Sequence, residues 1–205
     1  MNLLNFDFTT ISLQVQIIYY LGLFLSISLH ESAHAYMAHY EGDFTPKFQG
    51  RLTLNPLKHL EPIGAILIIL FGFGWGRPVE INTINLKNPK KSLLLIALVG
   101  PLTNLAIATI LTIILSTTSS MGLFSVAMRN LIFVNIGLFV FNLIPLYPLD
   151  GSKIVYSLLP ANLAEQWAET SKISPFIIIL LLATGSLSSI ISALMKPIIF
   201  ILSFV

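Results

Sequence analysis

The sequence predicts an all-α polytopic membrane protein with about four to six transmembrane segments and a short re-entrant or β-hairpin region on the cytoplasmic side. Three observations carry this expectation. Only 10% of the 205 residues are charged and 55% are hydrophobic, whereas a soluble domain carries roughly 25% charged residues. Apolar runs such as SLLLIALVGPLTNLAIATILTIIL and SPFIIILLLATGSLSSIISALM reach the roughly 20 residues that cross a hydrocarbon core of about 30 Å. Most of the lysines and arginines fall in two polar stretches between such runs.

Composition also excludes several classes. The formal charge of +2 comes with no basic cluster, so no nucleic-acid partner is expected. There is no cysteine, which rules out disulfides and thiolate metal sites; any metal must be held by nitrogen and oxygen. The opening MNLLNFDFTTISLQ lacks the basic region and small-residue cleavage site of a signal peptide. It reads as a retained lead-in. Residues 1–205 are expected to form one integral membrane domain, with its core at about 13–160 and membrane helix or helices at 173–205.

The first apolar segment covers about residues 13–40 and holds HESAH in its second half. Ser26, Ser28, Ser32, Ala33 and Ala35 keep that half slim for helix packing. The polar stretch 41–61 follows, in which RLTL alternates briefly enough to be a strand. PIGAILIILFGFGWGRPVEIN then offers only about a dozen apolar residues closed by glycines, which suits a re-entrant segment better than a crossing. Residues 77–82 permit a second short strand facing the first. Segment three, residues 93–115, is interrupted at GPLTN. Segment four, residues 123–146, ends in NLIPLYPLDG, and an amphipathic or irregular piece covers 152–170. Segment five runs from about 175 to 195, with KPIIFILSFV as its continuation or a separate tail. Placing Lys47, Arg51, Lys58, Arg77, Lys87, Lys90 and Lys91 on the cytoplasmic side satisfies the positive-inside tendency if residues 62–73 enter and return on one side. That gives four main crossings.

Ionisable residues are costly in hydrocarbon, so an intramembrane cluster is a functional hypothesis by default. His30 and His34 lie four apart, on one helix face, and can offer nitrogens to one Zn²⁺. Glu31, one residue round the helix, sits beside such a metal. There it can take a proton from water at the metal and pass it to a leaving amine. HExxH fixes three residues. The plainer reading is histidines bonding to neighbouring helices and Glu31 as a transporter's proton relay.

A third ligand is needed. His39, five residues beyond His34, points elsewhere, and His59 reads as support for the hairpin region. Glu41, Asp43, Glu61 and Glu80 read as solvated. Asp150 follows a long apolar segment inside IPLYPLDG, where prolines and glycine stop regular helix and can aim a carboxylate inward. It can complete a His₂Asp site with an open fourth position, or merely cap a helix at 152–159. Asn142 can orient substrate backbone or stabilise an oxyanion. Asn104 reads as an interhelical packing group, with Gly100 and Pro101 allowing close approach and a kink. The HESAH helix is expected to pack against the segment carrying Asn142 and Asp150.

HESAH at 30–34 and NLIPLYPLDG at 142–151 together resemble the site-2 protease family, intramembrane zinc metalloproteases. GDFTPKFQGRLTLNPLKHLEPIG, GWGRPV and GPLTN look like its small prokaryotic branch, without PDZ or CBS domain. The resemblance covers about residues 22–160. GWGRPV has glycine and arginine where relatives often have alanine and lysine. The resemblance implies that His30, His34 and Asp150 bind one zinc ion, that Glu31 is the general base, and that Asn142 assists at the substrate carbonyl. It implies an endopeptidase acting within or near transmembrane segments of membrane proteins in the cell membrane. A membrane zinc transporter or ion-coupled carrier using the same cluster is the main alternative, though no inverted repeat supports it. A catalytically silent scaffold is a third.

Overall fold

The computed structural model describes residues 13–71, 74–118 and 122–204, so the expectation for the N-terminal lead-in lies outside the described residues. Helix α1 spans Leu13–Tyr40, α4 spans Pro89–Thr117 and α5 spans Leu123–Asn142. At 1.5 Å per residue, 20 residues or more reach 30 Å, and these three helices are long and apolar enough to cross a membrane. Between α1 and α4 lie two short helices, α2 (Thr45–Phe48) and α3 (Pro62–Phe71). After α5 come α6 (Asp150–Leu158), α7 (Ala161–Glu169), α8 (Ser174–Ala183) and α9 (Ser186–Leu202). The pair α8 and α9 counts as a fourth crossing only if taken as one broken span.

The three long helices pack on one another, and α9 packs on α5. Of the slim residues expected to pack, Ser26, Ser28, Ser32 and Ala35 are buried on α1, joined by Ala38, while Ala33 is half-buried. On the other side of the bundle Ala108, Ile136, Val140, Met195 and Leu202 form an apolar cluster. Helix α4 begins at Pro89, where the missing N–H costs nothing, and the Asn88 side chain accepts from Lys91 N.

Residues 62–71 form a short helix whose two flanks meet. Ten residues give about 15 Å of helix, half the thickness of a hydrocarbon core. Leu60 and Gly76 form an antiparallel bridge, so the chain on either side of α3 lies side by side. A Cβ on Gly74 would fall 2.0 Å from the Gly64 carbonyl oxygen. Only bare backbone fits where the returning chain meets α3.

Four expectations are corrected. No strand forms at 51–54 or 77–82; among the described residues the Leu60–Gly76 bridge is the one strand-like pairing. Side chains have taken the ladder groups. His59 Nε2 donates to the Thr53 carbonyl (2.8 Å) and Arg51 to the Arg77 carbonyl, while the Val79 and Asn82 N–H groups go to Glu31 and Asp43. Pro78 has no N–H to give. Helix α4 is not interrupted at GPLTN but continues through buried Pro101. Segment five is two helices bent by 89°, broken at Gly185, whose φ of 71° favours glycine.

The fourth correction is Asp43, which is fully buried rather than solvated. It accepts from Thr45 N (3.0 Å), Thr45 Oγ1 (2.6 Å), Asn82 N (2.7 Å) and Asn85 Nδ2 (3.0 Å). Burial alone would raise its pKa, but these hydrogen bonds outweigh that and hold it below the ordinary carboxylate value. One side chain thus ties the end of α1 to the 82–85 turn. Asp43→Ala strands several buried donors and should cost on the order of 2–4 kcal/mol, read as a lower unfolding temperature in detergent. An unchanged temperature would contradict the tie.

Candidate metal and catalytic site

On α1 the four-residue spacing puts both imidazoles on one face, and His30 and His34 are both buried. Their Nε2 atoms lie 3.0 Å apart. Asp150, the first residue of α6, brings Oδ2 to 3.1 Å from each. The extended backbone at Leu149 (φ −67°, ψ 156°) turns the chain into α6. Gly151 allows the turn to be tight, since a Cβ there would lie 2.3 Å from the Leu143 carbonyl oxygen. The other Asp150 oxygen accepts from Lys153 Nζ at 3.0 Å.

The residues fit a metal on three independent grounds. His34 Nδ1 lies 2.6 Å from the Ile96 carbonyl, which can only accept, so Nδ1 carries the proton and Nε2 presents a lone pair. His30 Nδ1 lies 2.7 Å from Asn104 Oδ1, the outer-shell pattern of a ligating histidine. Tetrahedral ligands at 2.0–2.1 Å from one zinc are about 3.3 Å apart, close to the edges seen here. The third ground is Gly100 on α4. A Cβ there would sit 2.3 Å from His34 Nε2 and 2.7 Å from His30 Nε2, so its absence leaves the space an ion needs. Among the described residues this triad is the one group of His, Asp or Glu placed to hold a metal.

Glu31 is half-buried beside the triad, with Oε2 accepting from Val79 N at 3.1 Å. Gly76 crosses the same turn of α1. A Cβ on it would meet Ile27 Cγ2 at 2.7 Å and Glu31 Cγ at 3.7 Å. The 74–82 stretch therefore lies over the acid, free of side-chain bulk at the crossing.

The other candidates divide. Asn142 ends α5 and its Nδ2 donates back to the Leu138 carbonyl at 3.0 Å; none of its described hydrogen bonds reaches the triad. His39 stacks edge-on to Phe44, away from the site. His59 is buried and supports the polar region, with Nε2 also 3.1 Å from Ser32 Oγ. Burial lowers its pKa, the Thr53 hydrogen bond raises it, and nearby Arg51 lowers it again; the net direction is down. Asp150 is not a helix cap: it is the first residue of α6, which has no side-chain cap, and its oxygens lie against His30, His34 and Lys153. Helix α4, through Gly100, is the element pressed into the histidine pair, ahead of the α5 segment expected there. Asn104 hydrogen-bonds a candidate ligand and is more than a packing group. Lys153 and Asn135, which accepts from Asn104 Nδ2 at 3.1 Å, are additions that no local motif announced.

Comparison with known proteins follows the same line. The chain is 40% identical over 176 residues to "Putative zinc metalloprotease YwhC" of Bacillus subtilis, covering 82% of this chain and 80% of that protein. It is 30% identical over 178 residues to "Putative zinc metalloprotease Rip2" of Mycolicibacterium smegmatis, covering 82% of this chain and 67% of the relative. For the Rip2 protein of Mycobacterium tuberculosis the figures are 30% over 141 residues, 63% and 52%. No family model and no solved structure matches.

Proposed function

The chain belongs to the same family as the bacterial proteins named "Putative zinc metalloprotease YwhC" and "Putative zinc metalloprotease Rip2", and from that premise we propose that it is a zinc-dependent intramembrane endopeptidase of the site-2 protease type. The observation that carries this reading is the convergence of His30 Nε2, His34 Nε2 and Asp150 Oδ2 to 3.0–3.1 Å. That convergence occurs within a bundle of helices fit to cross a membrane. Its substrates are transmembrane proteins, cut within or near their spans by a multi-pass protein of the cell membrane.

His30, His34 and Asp150 would hold one zinc ion per chain, which when bound would supply a Lewis acid for the scissile carbonyl and make water more acidic. The chain's own groups do the rest. Val79 N–H occupies Glu31 Oε2 and leaves Oε1 to take the proton of the attacking water. Glu31 then delivers that proton to the amine nitrogen as the C–N bond breaks. Lys153 keeps Asp150 from rotating by holding its second oxygen. Asn142 donates one amide hydrogen to the Leu138 carbonyl, and its role is to orient the substrate backbone as it opens. A helical substrate must unwind locally before attack, because its carbonyls are hydrogen-bonded within its own helix.

The test in cells compares membrane proteins accumulating with the wild type and with Glu31→Gln. Truncated membrane-spanning fragments should persist in the variant and disappear with the wild type. Identical fragment patterns would contradict the reading.

A further inference from the structure

The buried polar groups behind His30 form a hydrogen-bond chain with a fixed direction. Ser26 Oγ donates to the Gly22 carbonyl at 2.8 Å, so it can only accept from Asn135 Nδ2, 3.0 Å away. Asn135 Nδ2 spends its other hydrogen on the Leu131 carbonyl at 2.8 Å. Both anchors end at backbone carbonyls, which accept and never donate. Asn135 must therefore turn its Oδ1 toward Asn104, and Asn104 must answer with Nδ2, at 3.1 Å. That leaves Asn104 Oδ1 facing His30 Nδ1 at 2.7 Å, where it accepts the imidazole proton. Flipping either amide would set oxygen against oxygen, or N–H against N–H, in a pocket where Asn104 and Asn135 are both 0% exposed. Asn104 Nδ2 also reaches the Ser26 carbonyl, but at 3.5 Å, the outer limit of a hydrogen bond, so the 3.1 Å bond to Asn135 is the stronger of the two that orient it. The direction of every bond follows from these backbone carbonyls and not from the placement of any hydrogen.

We propose that Asn135 is a positioning residue that sets the tautomer of His30 through Asn104. The proton is held on Nδ1, and the Nε2 lone pair is turned toward His34 and Asp150. It touches neither substrate nor ligand atom and acts only through Asn104. The three long helices each supply a member, so His30 is ready for metal only once α1, α4 and α5 have assembled. The inference rests on the zinc-site reading above and adds the residue that prepares one ligand.

The test uses the full chain in detergent and compares Asn135→Leu, Asn104→Leu, Asn104→Asp and the double variant Asn104→Asp/Asn135→Leu. Two readouts are taken: zinc affinity by competition with a chromophoric chelator, and the His30 ring-nitrogen signals in metal-free ¹⁵N-labelled protein. Asn135→Leu and Asn104→Leu should each weaken zinc by about 10–100-fold, the range for outer-shell partners, and should show both His30 tautomers. Asn104→Asp should keep the Nδ1–H tautomer, since either carboxylate oxygen accepts. It needs no partner to choose its orientation, so the double variant should regain zinc affinity to within a few-fold of wild type. A role of Asn135 in packing alone predicts no such rescue. Wild-type affinity and a single tautomer in Asn135→Leu, or failure of rescue in the double variant, would overturn the proposal. If Asn135→Leu does not fold, loss of the Nδ1–H tautomer in Asn104→Asp overturns it equally. A wild type that binds no zinc would instead overturn the proposed function, while the tautomer readout on metal-free protein would still stand.

Discussion

Gly100→Ala is expected to abolish zinc binding and proteolysis together, although glycine has no group that could bind metal or substrate. The added Cβ would lie 2.3 Å from His34 Nε2, 2.5 Å from His34 Cε1 and 2.7 Å from His30 Nε2. Relief by moving His34 is blocked, because its Nδ1 is pinned to the Ile96 carbonyl one turn earlier on the same helix. His30 is pinned in the same way to Asn104, one turn later on α4. The methyl group must therefore displace α4 from α1 or occupy the ion's place. Either outcome should weaken zinc by more than about 100-fold, beyond the usual effect of an outer-shell change. Metal analysis after gel filtration checks this, with helical content as the control for folding. Wild-type zinc content in Gly100→Ala would mean that α4 is not pressed into the histidine pair.

The second large effect separates metal binding from chemistry. Glu31→Gln should retain zinc and lose about 10²–10⁴-fold in cleavage rate, the range for removing a general acid–base group. Glutamine has nearly the same shape, and its amide oxygen can still accept from Val79 N. What it cannot do is take a proton from water at pH 7. His34→Ala and Asp150→Ala, by contrast, remove a ligand atom from the 3.0–3.1 Å triangle and should lose zinc and cleavage alike. A cleavage assay with zinc analysis on the same samples distinguishes the two patterns. Normal cleavage by Glu31→Gln would show that the base lies elsewhere.

Much of this was legible in the residues, for identifiable reasons. Helix α1 was readable end to end because its apolar run is continuous and bounded by polar residues. HExxH was readable because helical geometry alone brings residues four apart onto one face. Asp150 stood out because a carboxylate ending a long apolar segment and followed by glycine has few ordinary uses. The misses have a common cause. Asn104 and Asn135 lie on different helices, 31 residues apart, and no local pattern says that they meet. Asp43 sits among loop residues, as solvated acids do; two of its four donors come from nearby Thr45, and only the returning 82–85 turn reveals the other two. Residues 51–54 and 77–82 have strand-like composition, but long-range side chains took their backbone partners first. The bend at Gly185 was hidden by apolar residues on both sides of a single glycine.

The zinc fit and the proteolytic role remain separable claims, and one measurement joins them. The purified chain is stripped of metal, reconstituted in lipid vesicles with a transmembrane substrate, and titrated with zinc while cleavage and vesicle zinc flux are followed. A zinc-dependent intramembrane protease predicts cleavage that rises with bound zinc, reaches a plateau at one equivalent, and is absent from Asp150→Ala. Cleavage that persists without metal, or zinc passing into the vesicles with no peptide bond broken, would contradict it.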